Sequence, residues 1–423
     1  MNSYDSDRLL ESIKDTHEQV VSPEMADVIV FNTCHIREKA AEKIYSELGK
    51  IKKIKKINLD TKLIITGCVA QAEGRAMIKR QPIIDAVIGP QMYHKFKNVI
   101  DQLKHKKVME LDFQSNEKFK ALQNKRSIFN RSAFVTIQEG CDKFCSFCVV
   151  PFTRGAESSR KVNDIYNEVE YLVENGCKEV VLLGQNVNAY HGLNYKNEEV
   201  NLARLISTIE KIEDLKRITY TTSHPNDMHE ELIQLHGSSD KLNPYLHLPV
   251  QSGSDKILKL MNRKYNKKLY LQIIDKLRKK CPDIALSSDF IVGYPEETKK
   301  DFQETIKLIK EVEFAQAYSF KYSSRLGTKS SRNNSNNICD QEKNERLQKL
   351  QEILNYQQKS YNNKFLLKNL KVLVKGKAKK KNQYRGITKW MQVVNFEISR
   401  EVNSFENIKI IKSSNNSLLG EVQ

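Results

Sequence analysis

The chain holds 423 residues, 39% hydrophobic and 29% charged, and 70 Lys/Arg against 52 Asp/Glu leave it a formal charge of +18. That length supports two or three domains with separate cores, and the composition excludes a disordered chain. No run approaches the ~20 apolar residues of a membrane span, and the mixed-charge start MNSYDSDRLLESIKD is neither a secretory leader nor an organelle transit helix. A cytoplasmic location with no membrane partner is the expectation.

Residues 1–105 read as an α/β domain. Helical material from Asp5 to about Lys14 precedes the apolar strand DVIVFNTC, which ends at Cys34. A charged amphipathic helix over about 37–56 leads to a second strand, KLIITGC, ending at Cys68. A helix is expected from near Ala72, then a strand at DAVIGP. Short apolar runs alternating with helices indicate a parallel sheet, and both cysteines fall at the strand-to-loop edge where such sheets gather ligands. The polar stretch 106–130 reads as a linker.

From residue 131 to 360 the alternation resumes. SAFVTIQEG, KEVVLLGQN, RITYTTSHP, YLHLPVQSG, IALSSDFIVGYP and FAQAYSFKYSS are six strand candidates separated by helices. They predict a partial (β/α) barrel with its chemistry on the loops after the strands. A polar helix over about 341–360 closes this region.

Residues 361–423 change character. KVLVKG, MQVVNFEI and NIKIIKS predict a small β-barrel or sandwich. Residues 364–423 carry 13 Lys/Arg against 4 Glu, half of the chain's excess charge in a seventh of its length. With Tyr384, Trp390 and Phe396 interleaved, that pattern suits RNA phosphates and stacked bases; the plainer alternative is a solvated lysine-rich tail.

Eight cysteines in a cytoplasmic chain point away from a disulfide framework. Three of them form Cys141-x-x-x-Cys145-x-x-Cys148, directly after the first strand of the predicted barrel. Soft thiolates select iron–sulfur clusters or zinc, and zinc would want a fourth protein ligand at finger-like spacing that this loop lacks. Three thiolates suit a [4Fe–4S] cluster with one iron open to an exchangeable ligand.

GCDKFCSFC, with Phe147 before the last cysteine, resembles the radical S-adenosylmethionine signature. NTCHIREKA and GCVAQAEG in the first domain, and ITYTTSHP, YLHLPVQSGSDKILKLMNRKY and SSDFIVGYPEET in the second, extend the resemblance over nearly the whole chain. Together they resemble the methylthiotransferase family of radical S-adenosylmethionine enzymes, in its tRNA-modifying branch. The resemblance implies three parts: a methylthiotransferase α/β domain, a radical core and a C-terminal TRAM domain. It implies two [4Fe–4S] clusters and S-adenosylmethionine as cofactors. Cys141, Cys145 and Cys148 would hold the radical cluster, and Cys34 and Cys68 an auxiliary one tied to sulfur delivery. Phe147, Gln185, Asn186, Gln251 and Arg263 are candidate cofactor or substrate contacts, each of which could equally be scaffold. His224 reads as a strand-end cap, and Cys177, Cys281 and Cys339 as ordinary thiols.

The implied reaction is methylthiolation of carbon 2 of the isopentenylated adenosine 3′ of the anticodon. Its expected partners are a tRNA anticodon stem-loop, an external electron donor and a sulfur donor, with the enzyme a monomer. The rivals are methylthiolation of a threonylcarbamoyl-adenosine tRNA or of a ribosomal protein, and a catalytically impaired Fe–S RNA-binding remnant. The family pattern opens with a strand and a Gly-Cys-Gln-Met-Asn motif, whose cysteine is the auxiliary cluster's first ligand. This chain begins at that motif's methionine, so an upstream true start is expected in preference to a decaying copy. YRGITKWMQVVNF and FKYSSRLGTKS also depart from the family's usual forms.

Overall fold

The computed structural model describes the chain except residues 35–37, 114–118, 120–129, 326, 333–337 and 379–381, and at 38–43 it describes the backbone alone. The described residues form two compact units. The first gathers Met1–Ile128 with Gln138–Phe144 and Cys148–Arg160; the second gathers Phe129–Ile137, Cys145–Phe147 and Lys161–Gln423.

The first unit is built on four parallel strands in chain order, β1 (Val28–Thr33), β2 (Lys62–Gly67), β3 (Ala86–Ile88) and β4 (Val108–Glu110). The run LIITG is continuously apolar or small because β2 is covered on both faces. Its alternate residues part company: Ile64 joins Leu9, Phe96 and Ile100 on one side. Leu63 and Ile65 join Ile44, Leu48 and Ile51 from the helix Glu38–Ile57 on the other. The strand β4 lies inside the stretch read as linker, which corrects that reading. Three residues flanked by charge give no periodic signal, and their pairing with β3 is a tertiary choice. The rest of 106–130 lies largely outside the described residues. The helix expected near Ala72 begins at Cys68 and breaks at Gly74 into two short helices, Cys68–Glu73 and Arg75–Arg80. A two-stranded ribbon, Gln138–Glu139 against Ser158–Ser159, completes the unit.

In the second unit six parallel strands follow one another in chain order: β5 (Ser132–Thr136), β6 (Glu179–Leu183), β7 (Arg217–Tyr220), β8 (Tyr245–His247), β9 (Ala285–Val292) and β10 (Gln316–Lys321). They form two three-stranded sheets joined by a parallel bridge from Ile218 to Leu242. This is the path of a partial (β/α) barrel. Helices Val162–Glu174, Leu202–Ile209, Glu230–Ser238, Lys267–Lys280 and Lys299–Val312 alternate with the strands and bury their apolar stripes in one large core. Their starts are written in the sequence: Asn201, Asn266 and Thr298 cap three of them, the last in a reciprocal box with Asp301.

The helix Asp340–Asn363 leads into a closed five-stranded barrel, β11 (Asn369–Lys377), β12 (Gln383–Ile387), β13 (Val393–Glu397), β14 (Phe405–Ser413) and β15 (Leu418–Val422). β12 and β15, short and interrupted by glycine, were not anticipated. The barrel packs on the amino ends of the core strands. Arg217, the first residue of β7, donates to the carbonyls of Ile387 and Lys371 at 2.9 and 2.8 Å. Glu179, the first residue of β6, is fully buried and pairs with Lys375 of β11. Arg131 donates to the Val402 carbonyl at 2.8 Å. Among the described residues no helix is long and apolar enough to cross a membrane.

Candidate functional site

The carboxyl edge of the core strands is polar and strained. Thr222, two residues past β7, has φ +72°, and Gln251, four past β8, has φ +71°. A β-branched residue in that region is a true outlier, and such strain collects where a backbone is held for function. Gln251 is fixed between strands: its N–H donates to the Asp289 carbonyl at 2.9 Å, and its own carbonyl accepts from Ile291 at 3.0 Å. Asn186 is buried and donates to the Asp227 carboxylate at 2.8 Å. The His224 ring accepts from the Asn226 N–H, and its backbone N–H and carbonyl bond to the Asn188 side-chain amide, so it caps the turn Pro225–Asp227 rather than the strand end expected of it. Gln185 follows β6 on this same edge, and nothing further singles it out.

Around Cys145 the second unit supplies aromatic walls. Tyr265 and Tyr294 are both pushed up to about 12 by burial, and the charge of Cys145 adds to the rise. Tyr265 donates to the Val250 carbonyl at 2.8 Å and meets His224 edge to face. Phe147 packs with Ile257, Met261, Tyr294 and Tyr322, which makes it scaffold as well as candidate contact. The Arg263 guanidinium lies 5.8 Å from the ring centres of both Phe147 and Tyr265. Ser146 is pinned through its N–H to the Met261 carbonyl and through its carbonyl to the Ser330 N–H. Phe147, Arg263 and Cys145 are therefore brought together by the loop after β8.

In the first unit Cys141 donates its N–H to the Gly155 carbonyl at 3.2 Å, and the Val150 N–H points at Cys148 Sγ from 3.4 Å. All three loop thiols are half-buried and outside any disulfide. Among the described residues no three His, Cys, Asp or Glu side chains are gathered as a metal cage, so the spacing and the donor chemistry carry the assignment. That chemistry fits. Three thiolates can hold three irons of a four-iron cluster, and a backbone N–H aimed at sulfur is the usual support for one.

Cys34 and Cys68 follow adjacent, paired strands, with Thr33 opposite Gly67. Gly67 is needed there: its φ is +93°, and a Cβ would stand 2.2 Å from the Thr33 carbonyl. Thr33 Oγ1 donates to the Thr66 carbonyl and accepts from the Ala70 N–H, which ties the strand end to the helix that Cys68 begins. Two half-buried thiols thus share one sheet edge.

The sequence reading missed Asp289 and His247. His247 Nε2 lies 3.4 Å from Asp289 Oδ2 across adjacent strands, and Nδ1 meets Ser287 Oγ at 2.9 Å. The signal was present: polar Ser287, Ser288 and Asp289 interrupt an otherwise apolar buried strand.

Comparison with known proteins supplies the rest. The radical SAM superfamily model matches residues 135–309, and that superfamily works with a [4Fe–4S] cluster and S-adenosylmethionine. A second model, described as Uncharacterized protein family UPF0004, matches residues 1–89. A Ruegeria protein named tRNA-2-methylthio-N(6)-dimethylallyladenosine synthase is 46% identical over 100% of this chain and 96% of its own length. Its namesake in Ehrlichia canis is 49% identical over 100% of this chain and 97% of its own. A solved radical S-adenosylmethionine methyltransferase from Kitasatospora setae shares the fold at TM-score 0.54 and 13% identity, covering 75% of this chain and 69% of that one. With that identity sustained from end to end, the chain belongs to the radical SAM methylthiotransferases, in the family of tRNA-2-methylthio-N(6)-dimethylallyladenosine synthases.

Proposed function

We propose that the chain methylthiolates carbon 2 of N(6)-isopentenyladenosine at position 37 of tRNA, in the cytoplasm. The observation that carries this reading is near-half identity, across the full length, to proteins named for that synthesis. Cys141, Cys145 and Cys148 would hold the radical cluster that works with S-adenosylmethionine. When bound, these groups supply a one-electron cleavage that removes the hydrogen from carbon 2.

The protein's own part is placement and exclusion. Gln251, held by its strained backbone between β8 and β9, and Arg263, over Phe147, line the edge where cofactor and base meet. Asn186 is oriented by Asp227 and offers a fixed amide on the same edge. Tyr265 and Tyr294 stay neutral at working pH and wall one side of Cys145. Cys34 and Cys68 would help hold an auxiliary cluster, which would supply the sulfur chemistry, and a second S-adenosylmethionine would supply the methyl group. The basic barrel grips the anticodon stem-loop through phosphates. An external reductant and a sulfur donor complete the cycle, and the working form is a monomer.

The test is nucleoside analysis of isopentenylated tRNA after incubation with reconstituted protein, reductant and S-adenosylmethionine. The 2-methylthio nucleoside should appear and unmodified isopentenyladenosine should fall in step. Threonylcarbamoyl-adenosine tRNA or ribosomal protein modified in its place would refute the reading.

A further inference from the structure

Arg154 is 2% exposed and heads the large side chains that the chain buries completely. A guanidinium is costly to bury unless its donors are met by acceptors of opposite charge. Two carboxylates meet it. Asp5 comes from the helix Asn2–Ile13, and Glu139, at 2.7 Å, comes from the strand just before Cys141. Both are themselves buried. Gln91, in the loop after β3, donates to the Arg154 backbone carbonyl.

The neighbouring backbone ties the same point to the cysteine loop. Cys141 donates to the Gly155 carbonyl, and Gln138–Glu139 pairs with Ser158–Ser159. Gly140, at φ +78°, lets the two segments of the ribbon close: a Cβ there would stand 2.0 Å from the Ala156 carbonyl. The ribbon that carries Cys141 is therefore rigid, and Arg154 is the charged pin between it and the first sheet. Cys68 lies within electrostatic reach of that pin. Burial opposes the guanidinium's charge, but Asp5, then Cys68 and Glu139, more than restore it.

Here one cation joins a carboxylate from the ribbon of Cys141 to one from the helix over the first sheet, and the turn Val150–Thr153 that leads into it packs on the helix that Cys68 begins. Resting on the function proposed above, we infer that Arg154 is a positioning residue: it clamps the Cys141 ribbon to the sheet edge that carries Cys68, and so sets the register in which hydrogen removal is coupled to sulfur delivery.

Arg154→Met alone strands two buried carboxylates and can fail to fold, so it is not the deciding variant. Arg154→Lys keeps the charge and loses the two-pronged geometry. The triple variant Asp5→Asn, Glu139→Gln, Arg154→Met removes all three charges together, a replacement that buried ion networks tolerate. Two quantities are read on the full-length protein. The first is hydrogen exchange of residues 138–144 and 155–159 in the cluster-free protein. The second is 5′-deoxyadenosine released per methylthio nucleoside formed after reconstitution.

The clamp predicts faster exchange in both segments for the triple variant. It also predicts at least about a tenfold rise in deoxyadenosine per product, with Arg154→Lys between wild type and triple. A role in folding alone would lower both products together and leave their ratio fixed. A ratio within about twofold of wild type, with exchange unchanged, overturns the inference. So does collapse of the triple variant while Arg154→Lys folds with wild-type coupling. Should the wild type make no methylthio nucleoside, the functional reading fails, while the exchange comparison still decides whether Arg154 clamps the ribbon.

Discussion

The two ends of the core strands are built to opposite rules. At the carboxyl end, Thr222 and Gln251 hold left-handed backbones, Asp289 and His247 interrupt apolar strands, and aromatic rings wall Cys145. At the amino end the buried charges are matched, and what the strands meet is the barrel. Glu179 is met by Lys375, Ser132 and Asn243, Arg217 by two carbonyls, and Trp390 Nε1 donates to Asp283 at 3.2 Å. The contrast separates chemistry from attachment. One edge gives up local stability to hold reactive groups, and the other gains it by seating the basic barrel.

Substitutions at the two ends should therefore fail in different ways. The largest effect belongs to the carboxyl end. Replacing Cys141, Cys145 and Cys148 with Ala should abolish S-adenosylmethionine cleavage by reconstituted protein and shift its unfolding midpoint little. Cleavage at the wild-type rate would break the assignment of that edge to chemistry.

At the amino end Lys375→Met should do the reverse. It leaves the fully buried Glu179 carboxylate without its cation, at a cost of about 3 kcal/mol, tempered by the hydrogen bonds from Ser132 and Asn243. Denaturant unfolding should report that loss, while cofactor cleavage without tRNA stays near normal. A variant that keeps its stability but loses cleavage would erase the distinction.

A pH effect of similar or smaller size sharpens it. His236 is buried beside the amino-end groove and bonded to Tyr220 at 2.7 Å, and burial lowers its pKa to about 4. Between pH 6.5 and 4 the unfolded chain binds a proton that the folded chain refuses. Stability should fall as pH drops through that window, by up to about 3 kcal/mol. His236→Gln should flatten that part of the profile in equilibrium unfolding. An unchanged acid slope would show that His236 is not the group responsible.

The smallest effect concerns the barrel. Deleting it would bare Glu179 and Arg217, so charge reversal is the cleaner probe. Lys409→Glu with Lys412→Glu, both exposed on β14, should weaken tRNA binding and lower its salt dependence by about two ions. An unchanged salt slope would remove this face from the RNA interface.

Much of this was legible in the sequence, for identifiable reasons. Continuous runs such as LIIT and VVLL announce buried parallel strands, and the three-cysteine spacing announces its ligand chemistry without any structure. β4 escaped because three residues carry no period. β12 and β15 escaped because Gly386 and Gly420, where a Cβ would strike the neighbouring strand, read as turn residues. Arg154 and Glu179 look like surface charges in the sequence. Only the tertiary structure, by burying each against partners up to 196 positions away, shows that they are not.

Whether radical chemistry acts on carbon 2 of the adenine ring can be measured directly. Isopentenylated tRNA carrying deuterium at that carbon would be treated with reconstituted protein, reductant and S-adenosylmethionine, and the 5′-deoxyadenosine examined by mass spectrometry. The account predicts one deuterium in 5′-deoxyadenosine for each methylthio nucleoside formed. Methylthio product with unlabelled 5′-deoxyadenosine would contradict it.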